Sequence, residues 1–141
     1  MTAPHPCLEL SKTIVGERRM YIDGQLCEAA SGKTYPNINP ANEKVLGVTA
    51  DAGPEDMLRA IAAAKRAFDT TDWSTNHEKR YQILSKFAQA IKDSVETRFR
   101  PITMAEVGHT LMVTQSAGMD EPVAGINFIL DTLKNFKWNM F

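Results

Sequence analysis

The 141-residue sequence has little cysteine, no excess of either charge and no long apolar run, and each shortage removes a class of protein. Only Cys7 and Cys27 are present. Their spacing matches neither a CxxC redox pair nor a paired metal motif, which speaks against a disulfide framework. Sixteen Lys and Arg against seventeen Asp and Glu leave a net charge of -1, so there is no field to hold nucleic acid or an anionic membrane. No run approaches the roughly 20 apolar residues needed to span a bilayer. The N-terminus lacks an apolar core ahead of a small-residue cleavage site. A cytoplasmic location is the expectation. The chain also lacks the Gly-X-Gly-X-X-Gly loop that would cradle a phosphate.

What is present is a globular composition, with 43% hydrophobic residues in a chain of single-domain length. Residues 1–17 carry Pro4, Pro6 and Gly16 with no period, and read as an irregular leader ahead of a domain over 18–141. Met20-Tyr21-Ile22, Asp23-Gly24 and Gln25 to Glu28 spell a strand, a two-residue turn and a returning strand. Thr34 to Ile38 and Lys44 to Ala50 are two more extended segments around Asn39-Pro40-Ala41-Asn42, whose proline suits the second position of a turn. The expectation is a small antiparallel unit of three or four strands.

Past Asp51 the period becomes helical. Pro54 suits a first helical position, Glu55 and Asp56 suit the positive end of the helix dipole, and Met57, Ile61, Ala64 and Phe68 line one face of a helix running to about Asp69. Asp72 to Asn76 form a connector whose side chains can cap helix N–H groups. A second, longer helix has Leu84, Phe87, Ala88, Ile91 and Val95 as its inner stripe and Lys79, Lys86, Lys92 and Glu96 outside, and Pro101 sets a break or a new start. Ile102 to Val107 continue as a short helix capped at Gly108, Leu111-Met112-Val113 suit a helical turn or a strand, and a last helix from Pro122 carries Val123, Ile126, Leu130, Leu133 and Phe136. The alternation of strand and helix that builds a parallel sheet is absent, so these apolar stripes must pack on each other or be covered by a surface from elsewhere. The cations Arg59, Lys65, Arg66, Lys79 and Arg80 are interleaved with Asp56, Asp69, Asp72 and Glu78, and read as solvated helix surface.

Several segments carry a resemblance. Tyr21-Ile22-Asp23-Gly24-Gln25, Ser31-Gly32-Lys33-Thr34, Asn39-Pro40-Ala41, Ala60 to Phe68, Trp73-Ser74 and Arg80 occur in the order found at the start of aldehyde dehydrogenases. Ala105-Glu106-Val107-Gly108-His109-Thr110 is similar to that family's acidic-X-Gly segment, with His109 where many members have Lys. From about Met20 onward the chain resembles the N-terminal part of the NAD(P)-dependent aldehyde dehydrogenase family. The resemblance implies an α/β fold of which this sequence holds the small antiparallel β unit and about four α-helices, and NAD or NADP as cofactor. It also implies oxidation of an aldehyde to an acid through a Cys nucleophile and a Glu-activated water.

That family's Gly-Gln-X-Cys, Glu-Leu-Gly-Gly-Lys, Gly-Ser-Thr-X-X-Gly and Pro-Trp-Asn-Phe-Pro segments do not occur in the sequence, and Trp138-Asn139-Met140-Phe141 is no substitute for the last. No catalytic, cofactor-binding or metal-ligating residue is therefore assigned, and the chain alone is expected to be inactive and to bind no cofactor. The expected partners are a C-terminal portion of the family fold or further copies of the chain; the alternative is a non-catalytic helical interaction module derived from the family. Cys27 reads as a small apolar strand residue with no neighbouring base, and Cys7 as part of the leader. His5, His77 and His109 are scattered without ligand spacing. In some family members an acid near the place of Glu106 helps a carbonyl from the Asn37-Ile38 region hold a monovalent cation; here Glu106 reads as a helix-surface carboxylate. Asp120 and Glu121 before Pro122 read as dipole-compensating acids.

Overall fold

The structure is a computed structural model that describes residues 4–138. Residues 139–141, which include part of the Trp138-to-Phe141 segment, lie outside the described residues. The chain runs through a short helix α1 (Pro6–Leu10), strands β1 (Met20–Ile22), β2 (Gln25–Cys27), β3 (Thr34–Ile38) and β4 (Val45–Ala50), and then helix α2 (Pro54–Thr70). A 3-10 turn over Asp72–Ser74 leads into α3 (His77–Ser94), a π turn (Val95–Phe99), α4 (Arg100–Val107), α5 (Leu111–Thr114) and α6 (Asp120–Asn135). The leader is thus not wholly irregular: Pro6 starts α1, and the Cys7 side chain is buried under it at 1% exposure.

The strands form two antiparallel hairpins rather than one sheet. Asp23 and Gly24 both take positive φ, 56° and 76°, the geometry that a two-residue turn needs to match strand twist. The β3–β4 pair carries a register irregularity between Asn37 and Ile38, and its turn closes with Glu43 at φ 59°. Backbone bonds from Ala50 N–H to the Arg18 carbonyl and from Asp51 N–H to the Lys33 carbonyl, each 2.9 Å, tie the end of β4 to the chain preceding β1 and β3.

Asp56 does more at the start of α2 than balance the dipole. Its carboxylate, 2% exposed, accepts from the Gly53 N–H at 3.0 Å and from the Ala30 N–H at 3.0 Å, and pairs with Arg59 at 3.3 Å. One side chain thereby caps the helix and anchors the loop after β2. The Gly53 N–H above all, with help from Ala30 and Arg59 and against the cost of burial, holds its carboxyl below the usual range. A depressed folded pKa stabilises the fold above the unfolded carboxyl pKa of about 4 and loses that contribution as pH falls through the folded value. Asp56→Asn is expected to lower the urea midpoint at neutral pH, and the gap from the parent is expected to narrow below about pH 4. A gap that stays constant with pH would assign the loss to packing instead of charge.

The chain does not break at Pro101. A regular α-helix would set the proline ring against the carbonyl of the residue four positions earlier. Here the ladder widens, with the Arg100 N–H bonded to the Val95 carbonyl, and the helical run continues to Gly108. Gly108 ends it in the left-handed conformation at φ 76°, where a Cβ would come within 3.0 Å of the Pro40 ring, so this cap also seats the β3–β4 turn on α4. Leu111-Met112-Val113 resolve as helix, with the Thr110 hydroxyl accepting from the Val113 N–H.

The stripes read from the sequence divide into two kinds. Val123, Ile126, Leu130 and Leu133 of α6 lie half-buried toward α3, as do Leu84 and Ile91, with Ala88 and Val95 buried. Phe87 and the whole α2 stripe of Met57, Ile61 and Phe68 are exposed, between 55% and 62%. Phe128 and Ile129 on the outer side of α6 are also exposed. The accessible surface is 10213 Å². A self-contained monomer of this mass exposes about 7,300 Å².

Candidate functional site

The chemistry-bearing side chains do not converge on one cleft. Cys27, at the end of β2, is half-buried in a shallow depression shared with Arg59 and Arg66. Nothing near Cys27 in the sequence points to these cations. Arg66, however, is paired with Asp23 at 2.6 Å and Arg59 with Asp56. The carboxylate that lines the same depression, Asp23, is the one engaged by Arg66. His77 stacks face to face on Trp138 with centroids 4.0 Å apart, and His109 packs against Gly118.

The mixed-sign cation cluster is mostly paired surface, as its pattern suggested: Lys65 with Asp69 at 2.9 Å and Lys79 with Asp72. Arg80 is the exception. Its guanidinium donates to the Trp73 and Ser74 carbonyls at 2.6 and 2.9 Å and lies over the rings of Trp73 and Trp138. It locks the connector before α3.

Glu106 and Asn37 are brought together from 69 residues apart, but through side chains: the Asn37 amide donates to Glu106 Oε1 at 2.6 Å. One carboxylate oxygen is therefore already engaged, and the contact reads as a clasp between β3 and α4.

A second buried charged node, besides Asp56, was not visible in the sequence. Arg100, with its side chain 2% exposed, opens α4 and points inward. It donates through Nε and Nη2 to Glu96 Oε1 at 3.1 and 2.8 Å, through Nη2 to Asp120, and through Nη1 to the Thr114 carbonyl. Asp120 is thus an ion-pair partner as well as a dipole acid. On the far side of Glu96, Cys7 Sγ lies 3.0 Å from the Glu96 carbonyl and 3.3 Å from Oε2, and His5 Nε2 lies 3.9 Å from Oε2. The Cys7 thiol pKa is pushed up, first by burial and then by the adjacent Glu96 carboxylate. Glu96 is held below its ordinary value, chiefly by the Arg100 hydrogen bonds. A raised thiol pKa is the opposite of nucleophile activation.

The residues present do not fit the dinucleotide that the resemblance implies. A pyrophosphate seeks a helix N-terminus with free N–H groups and no competing negative charge. The three long helices α2, α3 and α6 begin with Glu55 and Asp56, with Glu78, and with Asp120 and Glu121. At α2 the Asp56 carboxylate already accepts from the Gly53 N–H.

Known proteins agree with the scaffold more than with any site. The aldehyde dehydrogenase family model matches residues 27–140. Aldehyde dehydrogenase family 2 member C4 of Arabidopsis thaliana is 39% identical over 80 residues, which make up 55% of this chain and 16% of that protein. The crystal structure of betaine aldehyde dehydrogenase from Staphylococcus aureus in complex with NAD+ is similar with a TM-score of 0.67 and 31% identity, covering 90% of this chain and 23% of that one. Apo indole-3-acetaldehyde dehydrogenase shares the fold with a TM-score of 0.84 at 20% identity, over 93% of this chain and 31% of that one. The chain spans only a minor part of each of these relatives. Two hairpins, a capped α2 and the α3–α6 helical layer, together with a family match over most of the sequence, establish that the chain belongs to the aldehyde dehydrogenase family, to whose N-terminal portion it corresponds.

Proposed function

We propose that these 141 residues serve as scaffold for an NAD(P)-dependent aldehyde dehydrogenase and carry none of its chemistry themselves. In this reading residues 18–141 are the N-terminal part of a cofactor-binding domain, and residues 1–17 are an extension packed on it through Cys7. The observation that carries the reading is the surplus of uncovered surface: 10213 Å² where a closed monomer of this mass shows about 7,300 Å². Met57, Ile61, Phe68, Phe87, Phe128 and Ile129 lie on it. Such faces await a partner surface, and in this family a C-terminal portion bearing the cofactor sheet is the one of matching ancestry. The nucleophile, the general base and the phosphate-binding turn would come with that portion.

The chain alone is expected to give no aldehyde-dependent reduction of NAD or NADP above a no-protein blank. Mixing it with a C-terminal portion of a relative such as the betaine enzyme is expected to restore turnover. Turnover by the chain alone that Cys27→Ala abolishes would overturn the reading. The same exposed faces favour one other reading, a helical interaction module that has left catalysis behind. It predicts a stable complex with other chains and no activity on complementation, which size-exclusion with light scattering and the mixing assay separate.

A further inference from the structure

We propose that His5, Cys7 and Glu96 form a binding site for a single divalent transition-metal ion of the zinc type. Among the described residues this is the grouping in which an imidazole, a thiol and a carboxylate each offer a ligand atom within 4.8 Å of the others. A tetrahedral ion with bonds of about 2.3 Å to sulfur and about 2.0 Å to nitrogen and oxygen holds its ligands roughly 3.3–3.5 Å apart. The Sγ–Oε2 separation is 3.3 Å and the Nε2–Oε2 separation is 3.9 Å, so a small swing of the half-exposed His5 ring closes the set. Solvent reaches the site from the side of His5 and Glu96 and supplies the fourth ligand.

Three features distinguish this grouping from a chance meeting of side chains. The first is the backbone. In the widened π register the Glu96 carbonyl would pair with residue 101, which is proline and has no N–H. Cys7 Sγ sits 3.0 Å from that carbonyl, which fixes the sulfur over Glu96 across 89 residues of sequence. Widened turns of this kind recur at functional sites. The second is the surrounding shell. Arg100 engages only Oε1 of Glu96, leaving Oε2 aimed at the sulfur and the imidazole, as outer partners of metal-binding carboxylates do. The third is charge: Glu96 and Asp120 outweigh Arg100 by one negative charge, and loss of the Cys7 proton to solvent adds a second, which matches a dication.

Ligation has two local costs. Loss of the Cys7 thiol proton gives up its hydrogen bond to the Glu96 carbonyl, and metal at His5 Nε2 moves the ring proton to Nδ1 and gives up the long 3.3 Å bond that Nδ1 now accepts from the Cys7 N–H.

The test is titration of the full reduced chain with cobalt(II) in the absence of oxygen, reading the thiolate-to-cobalt charge-transfer absorption, followed by displacement with zinc. The expected result is saturation at one equivalent, reversed by zinc. His5→Ala and Glu96→Gln are expected to weaken binding at least about tenfold, Cys7→Ser to abolish the band, and Cys27→Ser to leave it unchanged. Circular dichroism shows whether each variant folds. Should Cys7→Ser fail to fold, His5→Ala, altered at a half-exposed position, decides the matter. Absence of the band with excess cobalt, its full retention in His5→Ala, or its loss in Cys27→Ser would overturn the site.

Discussion

Arg100→Leu is expected to cost the fold about 2–3 kcal/mol, the largest effect of any single side-chain change outside the helix backbone. Among the described residues the guanidinium is the only cation that faces Glu96, Asp120 and the Thr114 carbonyl together, and it links α4 to the π turn, α5 and α6. Its removal leaves two carboxylates close to each other and a carbonyl without a donor. The loss stays below the 3–5 kcal/mol typical of a fully buried broken pair, because Glu96 and Asp120 are 57% and 44% exposed and regain water. In thermal unfolding the midpoint should fall by roughly 6–12 °C for a domain of this size. Arg100→Lys should recover part of the loss, since one ammonium keeps the charge but not the fork that spans three acceptors. Equal midpoints for the leucine variant and the parent would show that the node contributes nothing to stability.

The second large effect concerns association. Converting Phe128 to Glu and Ile129 to Lys is expected to shift the isolated chain from self-associated species toward monomer and to change its melting midpoint by less than about 2 °C. The two residues are 75% and 61% exposed, so little packing is lost within the chain. The surface they occupy belongs to an excess of roughly 2,900 Å² of total accessible surface over a closed monomer. Light scattering reports the mass and the same sample's melt reports the fold. A parent chain already monomeric at high concentration, with no binding of an apolar dye, would remove the basis for treating this face as an interface. If the proposed scaffold role holds, the same double substitution should also abolish restoration of activity by a C-terminal portion.

The sequence made the local elements legible because their signals are local. Asp23-Gly24 specifies its turn by backbone sterics, Asn76 caps α3 by accepting from the Lys79 N–H, and Gly108 ends a helix where only glycine fits cheaply. The inner face of α6 from Val123 to Leu133 followed from period alone, whereas Phe136, expected on the same stripe, lies past the helix end and is exposed. What the sequence did not show depends on pairings across long separations. Arg100 sits among ordinary helix residues, and nothing near it in sequence predicts burial with Asp120 and Thr114. Cys7 and Glu96 are 89 residues apart, and a leader without periodicity hid the short helix that brings them together. Of the break and the new start that Pro101 allows, the second holds: it lies in the first turn of α4, and the ladder before it widens instead of ending. The α2 stripe is legible as apolar, while the choice between packing within the chain and cover from elsewhere is not, since amphipathicity tells which face wants burial and not whether a partner is present.

The widened turn at Val95–Phe99 has a bearing on which changes in length this chain can tolerate. An α-helix advances about 100° per residue, and the widened turn spreads nearly the same rotation over one more residue, so the faces from Arg100 to Gly108 keep the phase that a regular helix with one residue fewer would give them. Deleting one residue there would let the ladder close up with Arg100 still toward Asp120, Glu106 toward Asn37 and Gly108 on Pro40, but it would set the Pro101 ring against the carbonyl four positions earlier. The segment is therefore a phase buffer: a change of one residue in length is absorbed within it, and its cost falls on the proline and not on the hairpin, the buried ion pair or the last helix.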